Sequence, residues 1–206
     1  YGGHMIKRYF EIIGRKSKKA FENKVKNELK NKVLNHYALS IQKNEKSILL
    51  QNKKDINYAK KIGLKDNFIS RLELDKKKLK SIINSINSIS KLKDPTDRIL
   101  EQWKRPNGLK IKKVSVPIGV IGVIYESRPN VTSDVSCLCF KSGNSVILKG
   151  GSEAYFTNKI LSNLFRRSLK FYKIDPNFVQ FVDMRSRKVV DHMLSKMTKY
   201  IDIIIP

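Results

Sequence analysis

Apolar residues in the first ninety positions recur at helical spacing. Leu29, Val33, Leu34, Tyr37 and Ala38 fall on one face, Ile48 and Leu49 resume the pattern, and Leu79, Ile82, Ile83, Ile86 and Ile89 form a further stripe. Breaks fall near Asn44, around Gly63 and at Asp94-Pro95, the last because the residue before a proline resists the helical region. The spacing predicts three or four helices between Lys7 and about Leu92. Between Arg98 and Val116 the period changes. Ile99-Leu-Glu-Gln-Trp-Lys-Arg105 and Leu109-Lys-Ile-Lys-Lys-Val-Ser-Val116 flank Pro106-Asn107-Gly108, and Asn-Gly between alternating segments signals a β-hairpin.

From Gly119 onward short apolar runs alternate with helical patterns. The reading is strand 119–125, helix to about 141, strand 145–149, helix 152 to about 172, strand 178–182, helix 186–197 and strand 200–205. Alternation of this kind predicts a parallel sheet covered on both faces. The expected fold class is α/β in three layers: a Rossmann-type parallel sheet, N-terminal helices packed on it, and a projecting hairpin of the kind that serves assembly.

Polar groups gather outside the carboxyl ends of the strands in such a sheet, and ligands bind there. Two strand ends stand out. Val116-Pro-Ile-Gly-Val-Ile-Gly-Val-Ile-Tyr-Glu-Ser-Arg-Pro-Asn130 breaks from an apolar run into a loop carrying Glu126, Ser127, Arg128 and Asn130. Ser145-Val-Ile-Leu-Lys-Gly-Gly-Ser-Glu153 ends in Lys149, Gly150, Gly151, Ser152 and Glu153. The apolar runs alone, with Gly119 and Gly122, say only that a strand is buried on both faces and closely approached. Any functional reading rests on the loops.

Composition adjusts this picture in a few places. With 43 Lys and Arg against 18 Asp and Glu in 206 residues, the formal charge is +25, which invites a nucleic-acid reading. The excess is mostly lysine spread through the first hundred residues, as in Asn23-Lys-Val-Lys-Asn-Glu-Leu-Lys-Asn-Lys-Val33, and reads first as an exposed helix face. No recognition-helix, zinc-finger or stacking-platform pattern supports a nucleic-acid partner. No apolar stretch approaches the roughly 18 residues of a membrane span, and a cytoplasmic protein is expected. Cys137 and Cys139 are the only cysteines. Without further Cys or clustered His no metal site is expected, and a buried thiol acting as a small apolar group is the better reading. Tyr1-Gly-Gly-His-Met5 resembles an expression remnant ahead of a native start at Met5.

The strand-end loops, together with Lys141-Ser-Gly-Asn144 and Tyr200-Ile-Asp-Ile-Ile-Ile-Pro206, closely resemble the gamma-glutamyl phosphate reductase family of the aldehyde dehydrogenase superfamily. The likeness continues through Ala59-Lys-Lys-Ile-Gly-Leu64, Ser70-Arg-Leu72, Asp94-Pro95 and Arg105-Pro-Asn-Gly-Leu109. It implies an NADPH-dependent reduction of L-glutamyl 5-phosphate to the semialdehyde with release of phosphate, in proline biosynthesis. A cysteine attacks the acyl phosphate, a thioester forms, and hydride reduces it. The family's chain is about twice as long, and its nucleophilic cysteine lies in a second domain beyond Pro206. Cys137 and Cys139 do not match that nucleophile, so the 206-residue form is expected to be inactive.

The resemblance divides the chain into residues 6–95, the helical part of a cofactor domain; 96–117, a hairpin for homo-oligomer assembly; and 118–206, the dinucleotide-binding part. Lys149 can hydrogen-bond an adenosine ribose and meet an NADP 2′-phosphate as a point charge. Gly150 and Gly151 let the backbone approach, and Ser152 could cap the next helix and offer its N-terminus to an anion. Ser152 and Glu153 equally fit as plain cap and first-turn residues, and Lys-Gly-Gly-Ser-Glu is one residue longer than the superfamily's usual Lys-Pro-Ser-Glu. Asn130 is the candidate oxyanion donor by residue type, while alignment puts Arg128 nearer that slot. Arg128 could instead clamp the substrate's phosphate or carboxylate, with Glu126 and Ser127 beside it, or form a structural ion pair with Glu126.

Overall fold

The computed structural model describes residues 2–94, 99–104, 110–114, 117–126, 128–186, 188–196 and 200–205. Five helices come first: α1 (Gly2–Phe21), α2 (Asn27–Lys43), α3 (Glu45–Lys61), α4 (Asp66–Leu72) and α5 (Lys76–Ser90). Strands β1 (Ile99–Lys104) and β2 (Lys110–Val114) pair antiparallel in a sheet of their own, and the Pro106-Asn107-Gly108 turn expected between them lies outside the described residues. Then follow β3 (Val120–Ile124), α6 (Asn130–Lys141), β4 (Ser145–Lys149), α7 (Tyr155–Phe171), β5 (Val179–Phe181), α8 (Lys188–Lys196) and β6 (Ile203–Ile205). The last four strands form one parallel sheet in the order β5-β4-β3-β6.

Each sheet face has its own core. Ile121, Val123, Val146, Leu148 and Val179 pack with Cys137, Phe140, Leu161 and Phe165 of α6 and α7, and that layer continues outward into α2 and α5. Val120, Ile147 and Val182 pack on the other face against Phe10 and Ile13 of α1 and Val189 and Met193 of α8. Three layers result, as the alternation predicts. Only α1 of the N-terminal helices lies on the sheet in either core; α2, α3 and α5 pack on α6 and α7 instead.

Buried hydrogen bonds hold α1 in place. Gln180 Nε2 donates to Ile13 O (2.7 Å) and to Ser17 Oγ (2.6 Å), and Ser145 Oγ donates to Ser17 O (2.8 Å). A Cβ on Gly14 would overlap the Tyr200 ring, so this helix position must be bare. The start of β3 is fixed as closely. Asn144 Oδ1 accepts from the Ile118 and Gly119 amides, Asp202 Oδ2 accepts from the Val120 amide at 2.8 Å, and Gly119 has φ +135° with no room for a side chain beside Asp202.

The structure corrects several expectations. There are five N-terminal helices among the described residues rather than three or four, because breaks at 22–26 and 73–75 carry neither proline nor glycine to announce them. The segment 23–33 is not one exposed face: α2 begins at Asn27, and Lys30 is buried, donating to Lys141 O at 3.1 Å and pairing with Asp94 at 3.7 Å. Lys141 is buried too, on Ser90 O at 3.2 Å and Asn31 Oδ1. Both ammonium groups serve helix C-terminal carbonyls, where cations are favoured. The last strand is shorter than 200–205, running from Ile203 to Ile205, with Asp202 just before it bonding the start of β3 through both its amide (to Val120 O, 2.8 Å) and its carboxylate. Among the described residues no helix is long and apolar enough to cross a membrane.

Candidate functional site

The two strand ends singled out in the sequence open onto one cleft of about 510 Å³. β3 and β4 run side by side with Ile124 opposite Lys149, and the Tyr125 amide continues the ladder to Lys149 O at 3.1 Å. Ile124, Tyr125 and Glu126 line one side; Lys149, Gly150, Gly151, Ser152 and Glu153 line the other.

Beneath the loops runs a chain of buried hydrogen bonds. Tyr125 Oη lies 2.6 Å from Thr132 Oγ1, which donates to Asn158 Oδ1 at 2.9 Å, so β3, α6 and α7 are tied together directly under the strand ends. Burial pushes the Tyr125 hydroxyl pKa up, keeping it a neutral participant. Asn158 Nδ2 has no hydrogen-bond partner among the described residues and lies against Gly150, where an added Cβ would overlap it and stand 3.3 Å from the Tyr125 ring. Gly150 is therefore bare because the layer below leaves no room. At Gly151 a Cβ would meet only the movable end of Glu153, a weaker constraint.

Lys149 is 6% exposed and donates from Nζ to Gly150 O at 2.6 Å. Burial lowers its pKa, and the Glu153 carboxylate acts against that shift. A cation held at a strand end on a single carbonyl can exchange that acceptor for one on a ligand. Ser152, Glu153 and Ala154 form a 3-10 turn leading into α7, and Ala154 is anchored against Ile56, Ala59, Ile69 and Leu72 of α3 and α4.

Ser152 does not cap α7, contrary to expectation. The carboxylate of Asp55, from α3, accepts from the Phe156 amide (3.1 Å), the Thr157 amide (2.8 Å) and Thr157 Oγ1 (2.6 Å). The anion at this helix N-terminus is thus a side chain of the protein itself, and the helix end is not open to a ligand in the manner expected. Asp55 carries no sequence signal because an acid directly after Lys53 and Lys54 looks like solvated surface.

The sequence-predicted residues divide on placement. Glu126, Lys149, Gly150, Gly151, Ser152 and Glu153 come together around the cleft. Arg128 and Asn130 are exposed and outside its lining, Arg128 donating its amide to Glu126 O at 2.8 Å and Asn130 opening α6. The alternative of an Arg128–Glu126 ion pair fails, since no such pair within 4 Å occurs among the described residues. Ser127 lies outside the described residues. Arg185, on the loop after β5, lines the cleft and was not singled out. No motif marks it; the pairing of β5 with β4 brings it there.

The two thiols are inert as placed. Cys137 is fully buried and its pKa is pushed well up by that burial, with Asp134 and Cys139 adding to it, while burial pushes Cys139 up to about 12. Neither is a thiolate at neutral pH.

Comparison with known proteins places these features in context. No family model matches the chain. Over 177 residues, 86% of its length, the chain is 46% identical to the gamma-glutamyl phosphate reductase of Nitratiruptor sp.. The crystal structure of gamma-glutamyl phosphate reductase from Thermotoga maritima superposes on 96% of the chain with TM-score 0.86 and 34% identity, the chain covering 48% of it. An acetylating aldehyde dehydrogenase from Geobacillus thermoglucosidasius shares the fold alone, with TM-score 0.68 and 8% identity over 97% of the chain and 41% of its own. The resemblance carried by the strand-end motifs thus extends over most of the chain, and the fold is that of the aldehyde dehydrogenases. The chain spans less than half the length of the curated relatives it matches.

Proposed function

We propose that this chain is the cofactor-binding part of a cytoplasmic gamma-glutamyl phosphate reductase, which reduces L-glutamyl 5-phosphate to L-glutamate 5-semialdehyde with NADPH and releases phosphate. The observation that carries the reading is the cleft at the ends of β3 and β4, where Lys149 and the bare backbone of Gly150 and Gly151 meet in a chain 46% identical to a reductase of that name. These residues fit a dinucleotide. The crowding at Gly150 keeps the strand end free of side chains, and the Lys149 ammonium is held within the lining. When bound, the reduced dinucleotide supplies the hydride. Lys149 exchanges Gly150 O for an adenosine ribose oxygen, Gly150 and Gly151 allow close approach, and Glu153 balances the lysine's charge.

For the acyl transfer, Asn130 remains the proposed neutral donor to a developing oxyanion and Arg128 the proposed clamp on the substrate's phosphate or carboxylate. Their exposure at the end of the β3 loop leaves both available. The acyl-accepting thiol is neither Cys137, which is buried, nor Cys139, which is partly buried, since burial raises both thiol pKa values and disfavours the attacking thiolate. The β1-β2 pair, which forms a sheet separate from the main one, is the proposed surface for homo-oligomer assembly.

The raised pKa of both thiols also favours a second reading, a dinucleotide-binding or assembly module without turnover of its own. Oxidation of glutamate 5-semialdehyde by NADP with phosphate separates the two when the 206-residue chain and the product of the uninterrupted genomic reading frame are assayed side by side. Turnover by the reading-frame product and none by the 206 residues is expected. Turnover by the 206 residues would return Cys137 or Cys139 to the mechanism, and none by either would overturn the reductase reading.

A further inference from the structure

We infer that Arg185 is the residue that makes the strand-end cleft select a 2′-phosphorylated adenosine; the inference rests on the cofactor reading above. β5 lies beside β4, with Phe181 opposite Leu148 and the Val182 amide donating to Leu148 O at 2.8 Å. The loops that leave these strands deliver Arg185 and Lys149 to the same cleft.

The way Arg185 is held separates it from a structural arginine. Its guanidinium carbon stands over three aromatic rings, 4.4 Å from the centroid of Tyr155, 5.2 Å from Phe156 and 5.4 Å from Tyr58. Yet among the described residues it makes no hydrogen bond and no ion pair within 4 Å. Arg166 shows the contrast: its Nη1 donates to Pro176 O at 3.0 Å and Val179 O at 2.7 Å. These cation–π contacts hold the Arg185 guanidinium, whose charge also reaches Asp55, while its N–H donors have no hydrogen-bond acceptor among the described residues, a setting that suits bidentate binding of phosphate.

Charge in the cleft makes this arginine necessary. Glu126 and Glu153 line it, so a phosphate entering would meet carboxylates. The N-terminus of α7 gives little help, because Asp55 already occupies it. Among the described residues Lys149 and Arg185 are the cations in the lining. In a nucleotide-binding sheet of this type an arginine near the end of the second strand accommodates the 2′-phosphate, and Arg185 reaches that end from the neighbouring strand.

Calorimetric or NMR titration of the 206-residue chain with adenosine 2′,5′-bisphosphate and with adenosine 5′-phosphate tests this, since the two ligands differ only in the 2′-phosphate. The bisphosphate is expected to bind at least tenfold more tightly. Arg185→Ala should weaken bisphosphate binding by about 10- to 100-fold and leave 5′-phosphate binding within about twofold. Arg185→Met, which keeps an apolar stem on the rings, should do the same, and Arg185→Lys should recover part of the loss. Equal binding of both ligands by the wild type, or equal weakening of both in Arg185→Ala and Arg185→Met, would overturn the role of Arg185 while leaving the cleft a nucleotide site. Failure of both ligands to bind would overturn the cofactor reading and this inference with it.

Discussion

Asp55 and Thr157, 102 positions apart, are joined by two hydrogen bonds, the Thr157 amide and hydroxyl both donating to the same carboxylate oxygen. Through them α3 seats the first turn of α7, immediately after the 3-10 turn that carries Ser152 and Glu153. Asn52, one turn earlier on α3, extends the seat: its Nδ2 donates to Leu72 O at 2.9 Å and its Oδ1 accepts from the Leu74 amide at 2.8 Å. The cleft wall is thus positioned by a helix that does not itself line the cleft.

Asp55→Ala leaves buried donors without an acceptor and should cost about 2–4 kcal/mol. Asp55→Asn keeps one acceptor and should cost about half as much. Urea unfolding of the three proteins measures both, and an Ala variant within about 0.5 kcal/mol of wild type would refute the cap's importance.

A methyl group at position 150 has nowhere to go but into the Asn158 amide. Gly150→Ala should lower stability by about 1–3 kcal/mol, the usual cost of overpacking. Asn158→Ala opens the space below, so the double variant should be less destabilised than the sum of the singles. An additive double-mutant cycle would show that the two residues do not share the space.

Lys149 has a pKa lowered by burial. The unfolded chain therefore binds more protons between the folded value and the ordinary value near 10.5, and stability rises with pH across that alkaline window. Below the folded value the buried charge is a full penalty. Lys149→Met should raise the melting midpoint at neutral pH by about 2–4 °C and remove the alkaline rise, while weakening nucleotide binding. Melting curves from pH 7 to 10.5 check the first part and titration the second; an unchanged pH profile would show that the lysine is not desolvated.

β5 stands at the edge of the four-stranded sheet, and Arg166 donates to its Val179 carbonyl and to Pro176 O just before it. Arg166→Ala strips both acceptors of that donor and leaves an edge open to another chain. Concentration-dependent association, read as a rising sedimentation coefficient, is the expected outcome, and a strictly monodisperse variant matching wild type would argue against edge protection.

Much of the sheet was legible because its signals are local. Val146, Ile147 and Leu148, bounded by Asn144 and Gly150, allow only a short buried strand, and β4 is found at 145–149 as read. The grouping of Lys149 and Glu126 followed from the rule that parallel strand ends share a crevice. What stayed hidden depends on distant partners. Lys30 and Lys141 look like solvated charges until two helix ends converge on them. Arg185 gains a role only when β5 lies next to β4 and three rings from α3 and α7 meet beneath it. Asp55 needed a helix a hundred residues later.

The long reach of α1 has a bearing on how the chain is made. Its bond from Gln180 to Ile13 spans 167 positions, and the Tyr200 ring closes over Gly14 later still. At roughly 5–20 residues per second of synthesis, α1 leaves the ribosome on the order of ten seconds or more before the strand that receives it. During that interval Phe10 and Ile13 have no sheet to cover them. This helix is thus made well before the strands it docks on, and its apolar face stays uncovered while β4 and β5 are still being synthesised.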